Sequence, residues 1–257
     1  MKHLHLFGGN GYIGKNIQMF FEDDPDVIVT TQDSPAREIP DVACGNRYML
    51  HLASPRKTLP KTAEVNALMR HTGIFGHRFK NALEDGDVEC RELNIPTRQV
   101  LYFSSQSVWD SPLSLYGHYK WCGEHFARKR GYKVVNLGTV FGFVRGGPIR
   151  GDTAINKILI RKDRREEVHV TRAARCWTPM DEVLLFVVQF INGAVLEYPW
   201  MYRARLSDLF EYERIIDETG CSLRYHIPYA APDRIRLLRD RISLYFERMK
   251  KQNPEVV

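Results

Sequence analysis

Three side chains in the sequence could together move a proton. Tyr116 and Lys120 sit at i and i+4 in LYGHYK, and Ser105 lies upstream in FSSQSVW. On a helix, that spacing puts two side chains on one face a turn apart, so a phenol and an ammonium would meet. The ammonium would favour the phenolate, the seryl hydroxyl would polarise a carbonyl, and the tyrosine would give or take the proton at the reacting oxygen. The same spacing is common on amphipathic helices. The elements that position it therefore decide its meaning.

HLHLF (3–7) reads as a short buried strand, and it runs into FGGNGYIGKNI, where Gly8, Gly11 and Gly14 recur every third residue. The following helix turns Ile17, Phe20 and Phe21 inward. A glycine loop between a strand and a helix serves a dinucleotide. It allows the tight turn, close approach of backbone to pyrophosphate, and close helix packing, with the free N–H groups of the helix start facing the phosphates. Gly8, Gly11, Tyr12, Ile13 and Gly14 are the candidate cradle. The second strand, DVIVT (26–30), leads to Thr30 or Thr31 where an acid usually holds the adenosine ribose, with Asp33 just beyond and Arg37 in the loop. An arginine pairs with a 2′-phosphate, which leans toward NADP, whereas Asp33 in the acid's role would suit NAD. Both stay open.

RYMLHLAS (47–54) is another strand, and Leu52, Ala53 and Ser54 at its end are further cofactor candidates. Residues 61–84 are helical in pattern, RQVLYFSS (98–105) is a strand, a helix lies near 115–130, and YKVVNLG (132–138) is a strand. This alternation predicts an α/β fold: a Rossmann-type, doubly wound parallel sheet whose carboxyl edge collects both the glycine loop and Ser105. Beyond 143 the alternation breaks into a loop, a helix that turns charged, the apolar helix MDEVLLFVVQFING (180–193), and charged helices over 207–250 with a turn at 227–233. The expected organisation is a dinucleotide-binding core over 1–142 and a smaller substrate-binding portion over 143–257, with about 180–195 packing back on the core.

Composition narrows the class. Of 257 residues, 44% are hydrophobic and 26% charged, as in ordinary globular proteins, and no apolar run approaches the ~20 residues of a membrane span. The five cysteines form no CxxC pair and the nine histidines no metal spacing, so neither a disulfide framework nor a metal is expected. The net charge of +6 invites a nucleic acid, but no aromatic-basic motif accompanies it, and an anionic small substrate suits it equally. The first strand begins at once, with no signal-peptide pattern, which points to the cytoplasm.

The landmarks resemble the extended short-chain dehydrogenase/reductases, most of which act on nucleotide sugars. The resemblance rests on Gly8, Gly11 and Gly14, on HLAS (51–54), Asn66, FSSQSVW, the Tyr116/Lys120 pair, VVNLGTVFG (134–142) and RCWTPMDEV (175–183). It implies Ser105, Tyr116 and Lys120 as catalytic residues, with Lys120 also reaching the cofactor ribose. SPLSLYGHYKWCGE is most similar to the dTDP-4-dehydrorhamnose reductase branch. The family's dehydratases carry an Asp-Glu pair after the catalytic Thr, where this chain has Gln106 and Ser107, and its GDP-fucose synthases carry Cys at the Ser107 position. Elimination and double epimerisation are therefore disfavoured. Gln106, Ser107 and Arg175 become candidate substrate contacts. The resemblance implies an NAD(P)-dependent oxidoreductase reducing a keto group of a nucleotide-linked sugar. An NAD-dependent 4-epimerase and a non-catalytic dinucleotide-binding regulatory or assembly protein are the alternatives. It also implies a possible homodimer through the helix bearing Tyr116, Trp121 and Phe126. Tyr119 is expected to face away from the site.

Overall fold

The computed structural model describes residues 1–34, 41–52, 84–110, 115–150, 153–166, 170–171, 174–194, 201–210, 215–216 and 229–252. Arg37, Ala53, Ser54, Asn66 and nearly all of the helical pattern at 61–84 lie outside these residues. The chain divides into two compact units, Met1–Asn136 with Ile191–Ala194, and Leu137–Phe190 with Val195–Val257.

The first unit is built on a five-stranded sheet of order β2-β1-β3-β4-β5. Its strands are β1 (Lys2–Phe7), β2 (Val27–Thr31), β3 (Arg47–His51), β4 (Val100–Ser105) and β5 (Lys133–Leu137). β1 pairs in parallel with β2 and β3, and β3 with β4. The order reverses between β1 and β3, and a sheet of this kind binds its ligand outside the carboxyl ends at such a switch point. α1 (Tyr12–Phe20) follows the glycine loop. α2 (Ser107–Asp110) and α3 (Leu115–Lys129) follow β4, and a further helical segment spans 84–92.

Alternation along the strands sets the two faces. Leu4, Leu6, Leu50, Leu101 and Phe103 are buried on one. On the other, Phe7, Met49, Val100 and Tyr102 pack with Cys90, Leu93 and Ala127. His3 and His5 share that second face. His3 Nε2 and His5 Nδ1 lie 2.7 and 2.9 Å from the Thr30 hydroxyl, and His5 Nε2 lies 2.7 Å from the Glu89 carboxylate. All three of His3, His5 and Thr30 are buried.

One expectation is corrected here. Phe20 is 44% exposed, while Ile17 and Phe21 are buried, because α1 ends at Phe20 and only Ile17 lies on its inner stripe. Tyr119 is buried. The buried stripe of α3 runs through Tyr119, Lys120, Gly123, Glu124 and Ala127, wide enough to hold adjacent residues, and leaves Trp121 exposed.

In the second unit, β6 (Thr139–Phe141), β8 (Ala174–Pro179) and β9 (Tyr202–Arg205) form a three-stranded sheet, parallel at β6/β8 and antiparallel at β8/β9. Trp177 is fully buried there, and its Nε1 donates to the Ala204 carbonyl at 3.1 Å. Helices α4 (Ala154–Asp163), α5 (Met180–Ile191), α6 (Leu206–Leu209) and α7 (Pro232–Gln252) belong to this unit almost entirely, and β7 (Val170–Thr171) pairs with β10 (Ile215–Ile216). α7 is charged along most of its length but buries Leu238, Ile242, Tyr245 and Met249 on one stripe. Gly193, with φ +66°, ends the chain segment after α5 in the left-handed conformation.

Candidate active site at the carboxyl edge of the sheet

Gly8, Thr31, Leu52 and Ser105 all follow or end neighbouring strands, so the sheet brings them to one edge. Each glycine of the loop has its own reason. Gly8 has φ +85°, a conformation side chains resist. A Cβ on Gly14 would lie 2.3 Å from the Gly9 carbonyl oxygen, so helix and loop could not pack. At Gly11 a Cβ would meet only the Gly8 carbonyl, at an ordinary 3.6 Å. The fold does not require glycine at that position. A pyrophosphate approaching the backbone would. Gly11 is also the N-cap of α1 and supplies no side chain to the first-turn N–H groups, and that turn holds no acid. Those donors at a helix N-terminus suit an anion. Tyr12 and Ile13 open the helix and are half-buried. The loop residues therefore fit a dinucleotide phosphate.

Side chains that the sequence did not single out hold the loop. Gln32 Oε1 accepts from Gly8 N at 2.9 Å, and Gln18 Nε2 donates to the Gly9 and Gly14 carbonyls at 2.9 and 3.3 Å. Asn10, inside the glycine motif, donates to the Asp33 carboxylate. Asp33 is thereby tied to the loop, while Thr31 is half-buried, with its methyl close to Gly9. Leu52 N donates to the Phe7 carbonyl at 2.8 Å, joining the end of β3 to β1.

Ser105 ends β4, and its hydroxyl lies 3.0 Å from the Ser107 hydroxyl and accepts from Ser107 N at 3.2 Å. Tyr116 hydrogen-bonds Ser105. Burial raises the Tyr116 pKa, and the hydrogen bond to Ser105 pulls it the other way. Lys120, one turn along α3, is 3% exposed, and its Nζ donates to the Phe103 carbonyl at 2.7 Å. The ammonium lies 5.2 Å from the centre of the Tyr102 ring and 5.8 Å from that of Tyr119. Burial pushes its pKa down to about 8, and the Glu124 carboxylate opposes the fall. Gln106 is nearly buried, and its carbonyl accepts from Trp109 N at 2.9 Å. Arg175 belongs to the second unit, exposed on β8 with Ala204 as its register partner.

A scan of family models and a search of curated proteins each find no match. Solved structures do match over nearly the whole chain. WbmH, an enzyme of Bordetella bronchiseptica solved with NAD+, is 12% identical over 97% of this chain and 98% of its own, with a TM-score of 0.62. The chain has a Rossmann-like α/β fold. A UDP-glucuronic acid 4-epimerase from Bacillus cereus, solved with UDP-glucuronic acid and NAD, is 14% identical over 97% of this chain and 99% of its own, with a TM-score of 0.62. A UDP-N-acetylglucosamine 4-epimerase from Methanobrevibacter ruminantium M1, solved with UDP-N-acetylmuramic acid, is 16% identical over 96% and 99%, with a TM-score of 0.54. The likeness is one of fold. Among the described residues no helix is long and apolar enough to cross a membrane, and no cluster of three metal-ligating side chains occurs.

Proposed function

We propose that the chain is an NAD-dependent oxidoreductase that interconverts a ketone and an alcohol on a nucleotide-linked sugar. The observation that carries this reading is that Ser105, at the end of β4, and α3 with Tyr116 and buried Lys120 one turn apart lie at the sheet edge that also bears the glycine loop, where the Ser105 side chain acts on the Tyr116 phenol. Gly8, Gly11, Tyr12, Ile13 and Gly14 would hold the pyrophosphate, and Asp33 the adenosine ribose. NAD bound there supplies the hydride acceptor or donor. In the reducing direction the carbonyl carbon gains a hydride, the Tyr116 O–H bond breaks, and its proton forms the new hydroxyl. Tyr116 is left as a phenolate, to which the Ser105 hydroxyl donates until solvent reprotonates it. Lys120 supplies positive charge close to that phenolate.

Asp33 turns the cofactor preference toward NAD, because a carboxylate tied to the loop by Asn10 can accept from a ribose diol and repels a 2′-phosphate. Arg175, Gln106 and Ser107 remain candidate contacts for the sugar and its carrier. A ketoreductase fits SPLSLYGHYKWCGE, the run similar to the dTDP-4-dehydrorhamnose reductase branch. A 4-epimerase uses the same three residues twice, and two of the solved structures that share the fold are such enzymes. The exposed Trp121 of α3 offers a surface on which a second copy could pair. Incubating the protein with NADH and a panel of nucleotide-linked 4-keto sugars tests the function. Loss of NADH absorbance in the wild type but not in Tyr116→Phe is expected. Equal turnover by both proteins would refute the assignment.

A further inference from the structure

We propose that Ser107 is a positioning residue for proton transfer: it donates twice to Ser105 and so directs the single Ser105 proton toward Tyr116. The proposal rests on the reading of Tyr116 as the proton donor. A seryl oxygen has one proton and two lone pairs. The 3.2 Å contact from Ser107 N to Ser105 Oγ has a fixed polarity, since a backbone N–H only donates, and it fills one lone pair. The 3.0 Å contact between the two hydroxyls can run either way.

If Ser105 donated to Ser107, its proton would be held within the turn that starts α2, and Ser105 could only accept from Tyr116. The Tyr116 proton would then be tied to Ser105 and withheld from a substrate. With Ser107 as the donor, both Ser105 lone pairs are filled, and the remaining proton points away from α2 to the Tyr116 oxygen it bonds. When Tyr116 gives up its proton, the charge left on its oxygen then meets an O–H. Hydrogen bonds in such a chain polarise one another, so the Ser107 hydroxyl strengthens the donation from Ser105. Regular structure holds both groups in place, since Ser105 is the last residue of β4 and Ser107 the first of α2. Neither sits in a free loop.

The test replaces Tyr116 with 3,5-difluorotyrosine, whose phenol ionises in an accessible pH range, and follows its ionisation by 19F NMR without substrate or cofactor. Ser107→Val and Ser107→Thr have the same shape and differ in the hydroxyl, so packing effects cancel. The expected result is a position-116 pKa about half a unit to one unit higher in Ser107→Val than in wild type, a 3- to 10-fold loss of phenolate at a fixed pH, with Ser107→Thr restoring it. In proteins with natural tyrosine, the pH profile of kcat should move the same way. Coincident titrations for Val and Thr, or a lower pKa for Val, would overturn the proposal. The titration needs no turnover, so the positioning role can fail while the function stands, and the converse.

Discussion

His3, Thr30, His5 and Glu89 form a polar line across the sheet, and Ser107, Ser105 and Tyr116 form another at its carboxyl edge. The two lines use the same chemistry and differ in how they end. In the first, His5 Nε2 lies 2.7 Å from the Glu89 carboxylate. His5 Nδ1 and His3 Nε2 both hydrogen-bond the Thr30 hydroxyl. The line ends beside a carboxylate within the fold. The second line ends on a half-buried phenol, one turn of α3 before buried Lys120. A closed line contributes stability. An open one holds a proton where a ligand can take it.

Substitutions should separate the two regions. Tyr116→Phe should lower kcat by ~10²–10⁴-fold, as for loss of a general acid, with an unchanged thermal midpoint. His5→Ala should do the reverse. It removes one of the two histidines that hold the Thr30 hydroxyl, takes His5 from the Glu89 carboxylate and opens a cavity, and should remove about 2–4 kcal/mol of stability by urea titration while kcat holds.

Lys120→Met sharpens the contrast, because it should stop turnover and stabilise the fold. The Lys120 pKa falls from 10.5 to about 8, so the folded state binds fewer protons than the unfolded chain across that window. Wild-type stability should rise between pH 8 and 10.5 by up to a few kcal/mol in urea titrations, and the Met variant should lack that rise and be the more stable at neutral pH.

The smallest effect belongs to His3, whose pKa is lowered to about 4 chiefly by burial, with the charges of His5 and Arg47 adding to it. The folded protein keeps His3 neutral where the unfolded chain would protonate it. Stability should be complete above about pH 6.5 and fall as the pH drops toward 4. His3→Gln should flatten that slope, as read from urea midpoints across the range.

The first unit was largely legible because its signals are local. The glycine loop, the β-branched strand at 27–31 and the apolar strand before Ser105 each specify an element, and the alternation of strands and helices specifies the sheet. The i,i+4 spacing placed Tyr116 and Lys120 on one helix face. The missed groups act through long-range contacts. Gln32 reaches Gly8 from the next strand, and Asn10 reaches Asp33. Only the place of Asn10 within the glycine motif could have flagged it. Phe103 accepts from Lys120 through its backbone carbonyl, which no residue type reveals. In the second unit β6, β8 and β9 are short and their pairing depends on residues far apart in sequence, and two-residue β10 lies within 207–250, where the charge pattern suggested helices alone. α7 met that expectation because its buried stripe repeats at helical spacing.

The most direct test of the central claim is a fluorescence titration of the purified protein with NADH and NADPH, run beside Gly11→Ala. A Cβ at Gly11 meets nothing closer than 3.6 Å within the chain, so the variant should fold as the wild type does. The wild type should bind NADH, more tightly than NADPH, and Gly11→Ala should weaken that binding at least ~10-fold with an unchanged thermal midpoint. A wild type that binds neither dinucleotide, or a Gly11→Ala that binds equally well, would contradict the assignment of this edge as a dinucleotide site.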